Sequence, residues 1–166
     1  MASREFVESR EEMEKLLREE VIGYLGLSMD GKPYVVPLNY AYVDGKILFH
    51  CALTGKKLDS IRANPNVCFT VGRQWGKVRR HEEGDPCHID SESVICYGTA
   101  RIIEHSQERK AALNAYNRSF TPDAEEISLG RAKECAAVEI AVSEMTGRRE
   151  QQRDRKRTYW RYTFQH

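Results

Sequence analysis

Residues 35–71 read VVPLNYAYVDGKILFHCALTGKKLDSIRANPNVCFTV. The fold class follows from the turns and spacings in this stretch. Asp44-Gly45 divides two runs rich in β-branched and aromatic residues, 33–43 and 46–52, the strongest short-range hairpin signal a sequence carries. A second such pair, Asp30-Gly31, joins 33–43 to an earlier strand at 21–28. Two Asp-Gly turns and three strands predict an antiparallel meander. Pro37 places its strand at an edge or a bulge, because proline has no N–H for the ladder. Residues 55–64 then predict a short helix with Leu58 and Ile61 inward, ended by Pro65. Strand 66–73 follows, with Val67, Phe69 and Val71 alternating inward.

Outward from this stretch, Ser9-Arg10-Glu11-Glu12 reads as a capping box opening an amphipathic helix over about residues 9–20. Residues 74–92, QWGKVRRHEEGDPCHIDSE, are polar and broken by Gly and Pro, and predict a long loop or excursion. Strand pattern returns at 93–104, where Val94, Cys96, Gly98 and Ala100 alternate with Ile95, Tyr97 and Thr99. A helix at 106–119, a second short one starting at Thr121-Pro122-Asp123, and strands at 135–145 and 158–164 complete the reading. So many short strands with inserted helices predict a closed or nearly closed barrel. The absence of GxGxxG and of βα alternation argues against a dinucleotide fold.

The chain has 166 residues, which suits one domain. Its 26 Lys+Arg and 25 Asp+Glu nearly cancel, unlike a general nucleic-acid binder. Apolar runs are too short to span a bilayer, and MASREFVESREEMEKLLREE is too charged for a signal peptide. A cytoplasmic protein without nucleic-acid or membrane partners is expected. Cys51, Cys68, Cys87, Cys96 and Cys135 are odd in number and form no CxxC, which fits reduced core thiols.

Chemistry concentrates at Thr54-Gly55-Lys56-Lys57, where a strand gives way to a helix. The free N–H groups of a helix start attract anions, and Gly55 permits close approach. Lysines there oppose the helix dipole unless an anion cancels the cost. Two solvated lysines are the competing reading, and local physics leaves both open. His81, Cys87 and His88 lack the compact spacing of a zinc site, so no metal is expected. Trp75 is either a ligand-stacking residue or a wall of the barrel. Arg148, Arg149, Arg153, Arg155, Lys156, Arg157 and Arg161 read as a solvated connection to the last strand.

The Pro-containing strand, Asp-Gly hairpin, Phe-His pair, Gly-Lys-Lys helix start and Asn-Pro before a Val-rich strand, together, resemble the flavin-binding core of the pyridoxamine 5′-phosphate oxidase-like split-barrel superfamily. The nitroimidazole reductase-like branch is the most similar. The resemblance extends over about residues 10–145 and includes Ser93-Val94-Ile95-Cys96-Tyr97-Gly98-Thr99-Ala100-Arg101. It implies a six- to seven-stranded antiparallel split β-barrel spanning residues 1–166, working as a homodimer with FMN at the subunit interface. Val36, Pro37, Leu38 and Asn39 would line the isoalloxazine, largely through backbone groups. His50, Cys51 and Ala52 would run beside the ring and ribityl chain. Gly55, Lys56 and Lys57 would hold the phosphate. Residues near Ser93 and Val94 are implied to complete the partner's site.

His50 is a candidate general acid or substrate hydrogen-bond donor, or it simply packs beside the cofactor. Cys51, in an apolar strand, reads as a buried structural thiol. The expected function is an NAD(P)H-dependent FMN oxidoreductase, or flavin reductase-like protein, acting on a small organic or nitroaromatic acceptor. A non-catalytic flavin carrier and a haem- or deazaflavin-binding barrel are the alternatives.

Overall fold

The structure, a computed structural model, describes residues 6–7, 9–79, 88–151 and 156–165. After a two-residue strand β1 (Phe6–Val7) and helix α1 (Arg10–Glu19), strands β2 (Ile22–Met29) and β3 (Lys32–Asn39) form the first hairpin. Asp30 and Gly31 both have positive φ, +52° and +71°, the twist-matched geometry of a two-residue hairpin. Asp44 and Gly45 do the same between β4 (Ala41–Val43) and β5 (Lys46–Cys51). The predicted single strand 33–43 is thus two strands with a corner at Tyr40. Tyr40, Ala41 and Tyr42 are buried in succession, which no straight strand allows. The Tyr40 hydroxyl donates to the Leu17 carbonyl at 2.8 Å, and its ring meets Phe69 edge-on at 4.7 Å.

Helix α2 (Lys56–Ala63) leads to the long strands β6 (Asn66–Arg79) and β7 (His88–Ile102). Helices α3 (Ser106–Phe120) and α4 (Leu129–Ala132) precede β8 (Ala136–Gln151) and β9 (Lys156–Thr163). The sheet runs β1-β9-β8-β7-β6-β2-β3, with β5 on β8 and β4 on β5. Among the described residues β3 pairs only with β2, which is the edge position expected from Pro37. In β5, residues beyond Leu48 pair only with β8. The barrel is therefore not closed, contrary to the expectation of closure. The corner at Tyr40 turns the chain away, and β3 and the end of β5 are left with unpaired edges.

The interior packs Leu25, Ile47, Phe49, Phe69, Val71 and Met145, and Met13, Leu16 and Leu17 of α1 close one end. Each such side chain contributes about 1.5–3 kcal/mol through burial. A smaller cluster of Ile103, Leu113, Ala132 and Ala137 lies under α3 and α4. Buried Asn114 accepts from the Ile127 N–H at 3.0 Å and ties down the segment between those helices.

Among the described residues Glu92, at 5% exposure, is the one buried charged side chain. Its two oxygens accept from Arg73 Nε and Arg149 Nε, each at 2.7 Å. Arg73 also donates to Glu19 at 2.7 Å. Arg149 donates to Glu12 at 2.9 Å and lies 4.8 Å over the Trp160 ring. The predicted capping box is thereby displaced: the Ser9 side chain makes no capping bond, and the Glu12 carboxylate serves Arg149 instead.

In its described residues, the predicted excursion at 74–92 is a paired ribbon. Gln74 faces Ser91, Trp75 faces Asp90, and pairing resumes at Arg79 and His88 after a register shift. His81 and Cys87 lie outside the described residues. No helix starts at Thr121; the short helix begins at Leu129, where the Ser128 hydroxyl accepts from the Arg131 N–H at 3.2 Å. The basic C-terminal stretch is not a solvated connection throughout, since Arg148 and Arg149 belong to β8 and Arg157 and Arg161 to β9. Arg153 and Arg155 lie outside the described residues. No described helix is long and apolar enough to cross a membrane.

Three substitutions test this packing by urea denaturation. A Cβ at Gly98 would collide with the Ala141 backbone carbonyl, so Gly98→Ala should destabilise by about 1–3 kcal/mol. The Ser60 hydroxyl is buried without a hydrogen-bond partner among the described residues; Ser60→Ala should be neutral or stabilising by up to about 1 kcal/mol. Glu92→Gln should cost about 2–4 kcal/mol, below the full value for a buried pair because both guanidiniums keep contact with water.

Candidate functional site

The start of α2 lies beside the open side of the barrel. Its N-cap is Gly55, with φ +132° and ψ 166° and no side-chain capping bond, so the Thr54 hydroxyl does not cap. A side chain at that φ would be strained, yet nothing lies within 4 Å of where its Cβ would be. The glycine thus fronts open space, where ligand atoms can approach the backbone. The Gly55 carbonyl accepts from Leu58 N at 2.9 Å and Asp59 N at 3.2 Å. The N–H groups of Lys56 and Lys57, at the first two helical positions, have no intrahelical partner.

The two lysines point to opposite sides of the opening. Lys56 Nζ lies 4.4 Å from the centre of the Tyr34 ring on β3. Lys57 Nζ lies 5.4 Å from the Phe49 ring on β5. Among the described residues neither lysine has a carboxylate partner; Asp59, the acid of the first turn, pairs with Arg62 at 3.3 Å. Two free N–H groups therefore lie at a helix start flanked by two ammonium groups, one reaching to β3 and the other to β5. Such a set binds an anion with several negative oxygens.

The remaining sequence-derived residues fall around this point. Val36 and Leu38 are partly buried and pack on the core, while Pro37 and Asn39 face outward. Four consecutive strand residues cannot turn all their side chains to one ligand, so only backbone groups can serve as a common lining. The Asn39 amide is also engaged, donating to the Val21 carbonyl at 3.1 Å. Cys51 is half-buried; burial raises its thiol pKa, with Lys57 acting against that rise and Cys135 adding to it. A thiol raised in this way is a poor nucleophile. Ala52 is exposed between strand and helix. His50 is exposed on the other side of β5, its ring edge-on to Tyr116 at 5.1 Å.

Sequence reasoning missed Tyr34, Tyr116 and Phe120. Tyr34 shares its strand and its facing with Val36, so alternation could have found it. Nothing in the sequence links Tyr116, on α3, to β5. Trp75, with Arg73, Glu92, Arg149 and Gln151, lines a cleft of about 360 Å³. Ser93 lies in another, of about 590 Å³, with Gly72, Gln74, Ser91, Arg148 and Glu150. No group of His, Cys, Asp and Glu among the described residues is arranged to hold a metal.

Comparison with known proteins agrees with the fold. The family model described as pyridoxamine 5′-phosphate oxidase matches residues 9–149. An uncharacterized protein of Rhizobium meliloti (strain 1021) is 35% identical over 77 residues. That match covers 43% of this chain and 50% of the relative, so the chain spans half the length of the curated relative it matches. A candidate 5-nitroimidazole antibiotic resistance protein of Bacteroides thetaiotaomicron superposes with a TM-score of 0.73 at 27% identity, over 85% of this chain and 84% of its own. An FAD-binding protein of Mesorhizobium loti does so with a TM-score of 0.61 at 28% identity, over 86% and 96%. An FAD and heme binding protein of Mycobacterium smegmatis shares the fold, with a TM-score of 0.72 at 18% identity over 82% and 68%. With its unpaired β3 edge, its inserted helices and a family match over most of its length, this chain belongs to the pyridoxamine 5′-phosphate oxidase-like family of split β-barrels.

Proposed function

We propose that this chain is a flavoprotein that binds FMN by its terminal phosphate at Gly55, Lys56 and Lys57, and that it works as an NAD(P)H-dependent oxidoreductase. The observation that carries the reading is the uncapped helix start with two carboxylate-free lysines at the open side of the barrel. A phosphate monoester brings a charge of about −1.5 to −2 and three acceptor oxygens, which this donor set matches. The open space at Gly55 leaves room for it. The FAD-binding neighbour of Mesorhizobium loti, at 28% identity, supports a flavin-type ligand.

When bound, the flavin supplies the redox chemistry, and the protein orients and shields it. The unpaired edges of β3 and of β5 beyond Leu48 offer backbone groups to the polar edge of a planar ring, near Val36 to Asn39. Cys51 and Ala52 lie along its length in this reading, and His50, whose side chain is on the other face of β5, meets it through its backbone. NADH or NADPH serves as reductant, and a small organic or nitroaromatic molecule as acceptor.

The working form in this reading is a homodimer with the flavin at the interface. Its support is the outer sheet face, where Ile22, Tyr24, Val35 and Tyr97 are 52%, 48%, 63% and 46% exposed. Register aligns Val35 with Gly26, Gly26 with Cys68 and Cys68 with Tyr97, so these residues share one apolar surface. A second copy covering it would bury what a lone chain leaves in water.

The test begins with the absorption spectrum of the purified protein, before and after FMN and then NADH or NADPH under anaerobic conditions. A flavin spectrum bleached by a nucleotide is expected. Failure to take up FMN would refute the reading, and a bound flavin that neither nucleotide reduces would make the protein a carrier. Lys57→Ala should weaken FMN about ten- to hundredfold, the worth of one charge-assisted bond, and leave riboflavin nearly unchanged. Equal losses for both would remove the phosphate assignment. Sedimentation should give a dimer that Val35→Glu dissociates.

A further inference from the structure

We propose that Tyr34 is a positioning residue of the anion site: its ring holds the Lys56 ammonium at the start of α2 while leaving the charge of that ammonium free for a phosphate. The inference rests on the reading of Gly55, Lys56 and Lys57 as a phosphate site. It names a residue that sets the strength of that site without touching the phosphate.

A lysine can be held in two ways. A carboxylate holds it by an ion pair, but the pair has no net charge and the carboxylate repels any other anion. An aromatic ring attracts the ammonium through its quadrupole and carries no charge of its own. Lys56 has the second arrangement, with Nζ 4.4 Å from the centre of the Tyr34 ring, inside the reach of about 6 Å for such a contact. Lys57 repeats it, with Nζ 5.4 Å from the Phe49 ring. Elsewhere in the fold cations are held by acids: Lys46 by Glu139, Lys110 by Glu126, and Arg101 by Glu108 and Glu139. At the start of α2 both cations rest on rings instead.

The Tyr34 anchor is itself fixed. Tyr34 is paired in register with buried Leu27 and packs against the core. Lys56, exposed at the first position of α2, would otherwise turn freely and lose that freedom on meeting a phosphate. The ring takes part of this loss in the free protein, which preorganises the charge. It also offsets the unfavourable placement of a cation at a helix N-terminus. Phe49 is fully buried in the core, so Tyr34, half-buried at the edge strand, is the ring that can be changed without opening a cavity. Among the described residues the Tyr34 hydroxyl has no hydrogen-bond partner, and Tyr34→Phe separates the ring from the hydroxyl.

The test compares FMN and riboflavin affinities, by flavin fluorescence, in Tyr34→Phe, Tyr34→Leu, Lys56→Gln and the Tyr34→Leu/Lys56→Gln double variant. Tyr34→Phe should bind FMN within about twofold of the wild type, and Tyr34→Leu about three- to fivefold more weakly. Riboflavin should be unaffected by either. In the Lys56→Gln background Tyr34→Leu should cost nothing further. Wild-type FMN affinity in Tyr34→Leu would overturn the proposal. So would an equal loss in Tyr34→Phe, which makes the hydroxyl the active group, or an undiminished loss in the double variant, which makes the ring merely structural. A second readout needs no flavin: the Lys56 ε-methylene NMR signal, assigned by its absence from Lys56→Gln. The ring should shift it upfield in the wild type and Tyr34→Phe but not in Tyr34→Leu, and inorganic phosphate should move it. If FMN does not bind but phosphate moves this signal with the same dependence on Tyr34, the positioning role stands and the flavin reading alone falls. An unshifted signal in the wild type overturns the positioning role whether or not FMN binds.

Discussion

Strand β8 is hydrogen-bonded to three other strands, and the barrel takes its shape from how it divides its edges. One edge pairs with β7 from Val138 to Glu150. The other serves β5 up to Ala141 and β9 from Glu144 onward. Between them the ladder skips one residue, with Tyr97 opposite Glu144 and Gly98 opposite Val142. Ser143 is the extra residue: its hydroxyl donates to the Tyr97 carbonyl at 3.0 Å, and its carbonyl accepts from Phe164 N at 2.9 Å. A bulge of this kind bends a strand and increases its twist. Here it lets one strand leave the β5 side and join the β9 side. Gly98 sits at the bend because the Ala141 backbone occupies the space of a Cβ.

The same division of β8 defines the open side. β5 is held on β8, β3 is held on β2, and the corner at Tyr40 joins them without a ladder between. The cost of unpaired strand edges is offset only if something else meets those backbone groups. At the same place α2 begins without a capping side chain, and its two lysines reach to β3 and β5 respectively. Unpaired edges, unsatisfied N–H groups and unpartnered cations are each mildly unfavourable, and one polyanionic, planar ligand can relieve all three.

Charge is used differently at the opposite end. Glu92, Arg73 and Arg149 lie on three adjacent strands and extend to α1 through Glu19 and Glu12. This network is satisfied internally, and it fixes α1 over the end of the core. The contrast separates a structural ionic cluster from a candidate ligand site: in one the carboxylate partners are present, and in the other the lysines have none among the described residues.

Local sequence determined the elements whose physics is local. Both Asp-Gly turns, the edge position of the Pro37 strand, the α2 start at Gly55 and the alternation around Val94, Cys96, Gly98 and Ala100 follow from backbone preferences acting over a few residues. So did the family, because its motif is a run of such local signals. Tertiary structure alone decided the rest. Polar residues at 74–79 and 88–92 look like loop, yet they extend β6 and β7, since cross-strand pairing overrides their composition. Glu12 had a local role in a capping box and took a distant one with Arg149. The opening beside β3 depends on which strands β8 pairs, and Tyr116 meets His50 only because α3 packs back over β5. These are contacts between residues far apart in the chain, and no local preference encodes them.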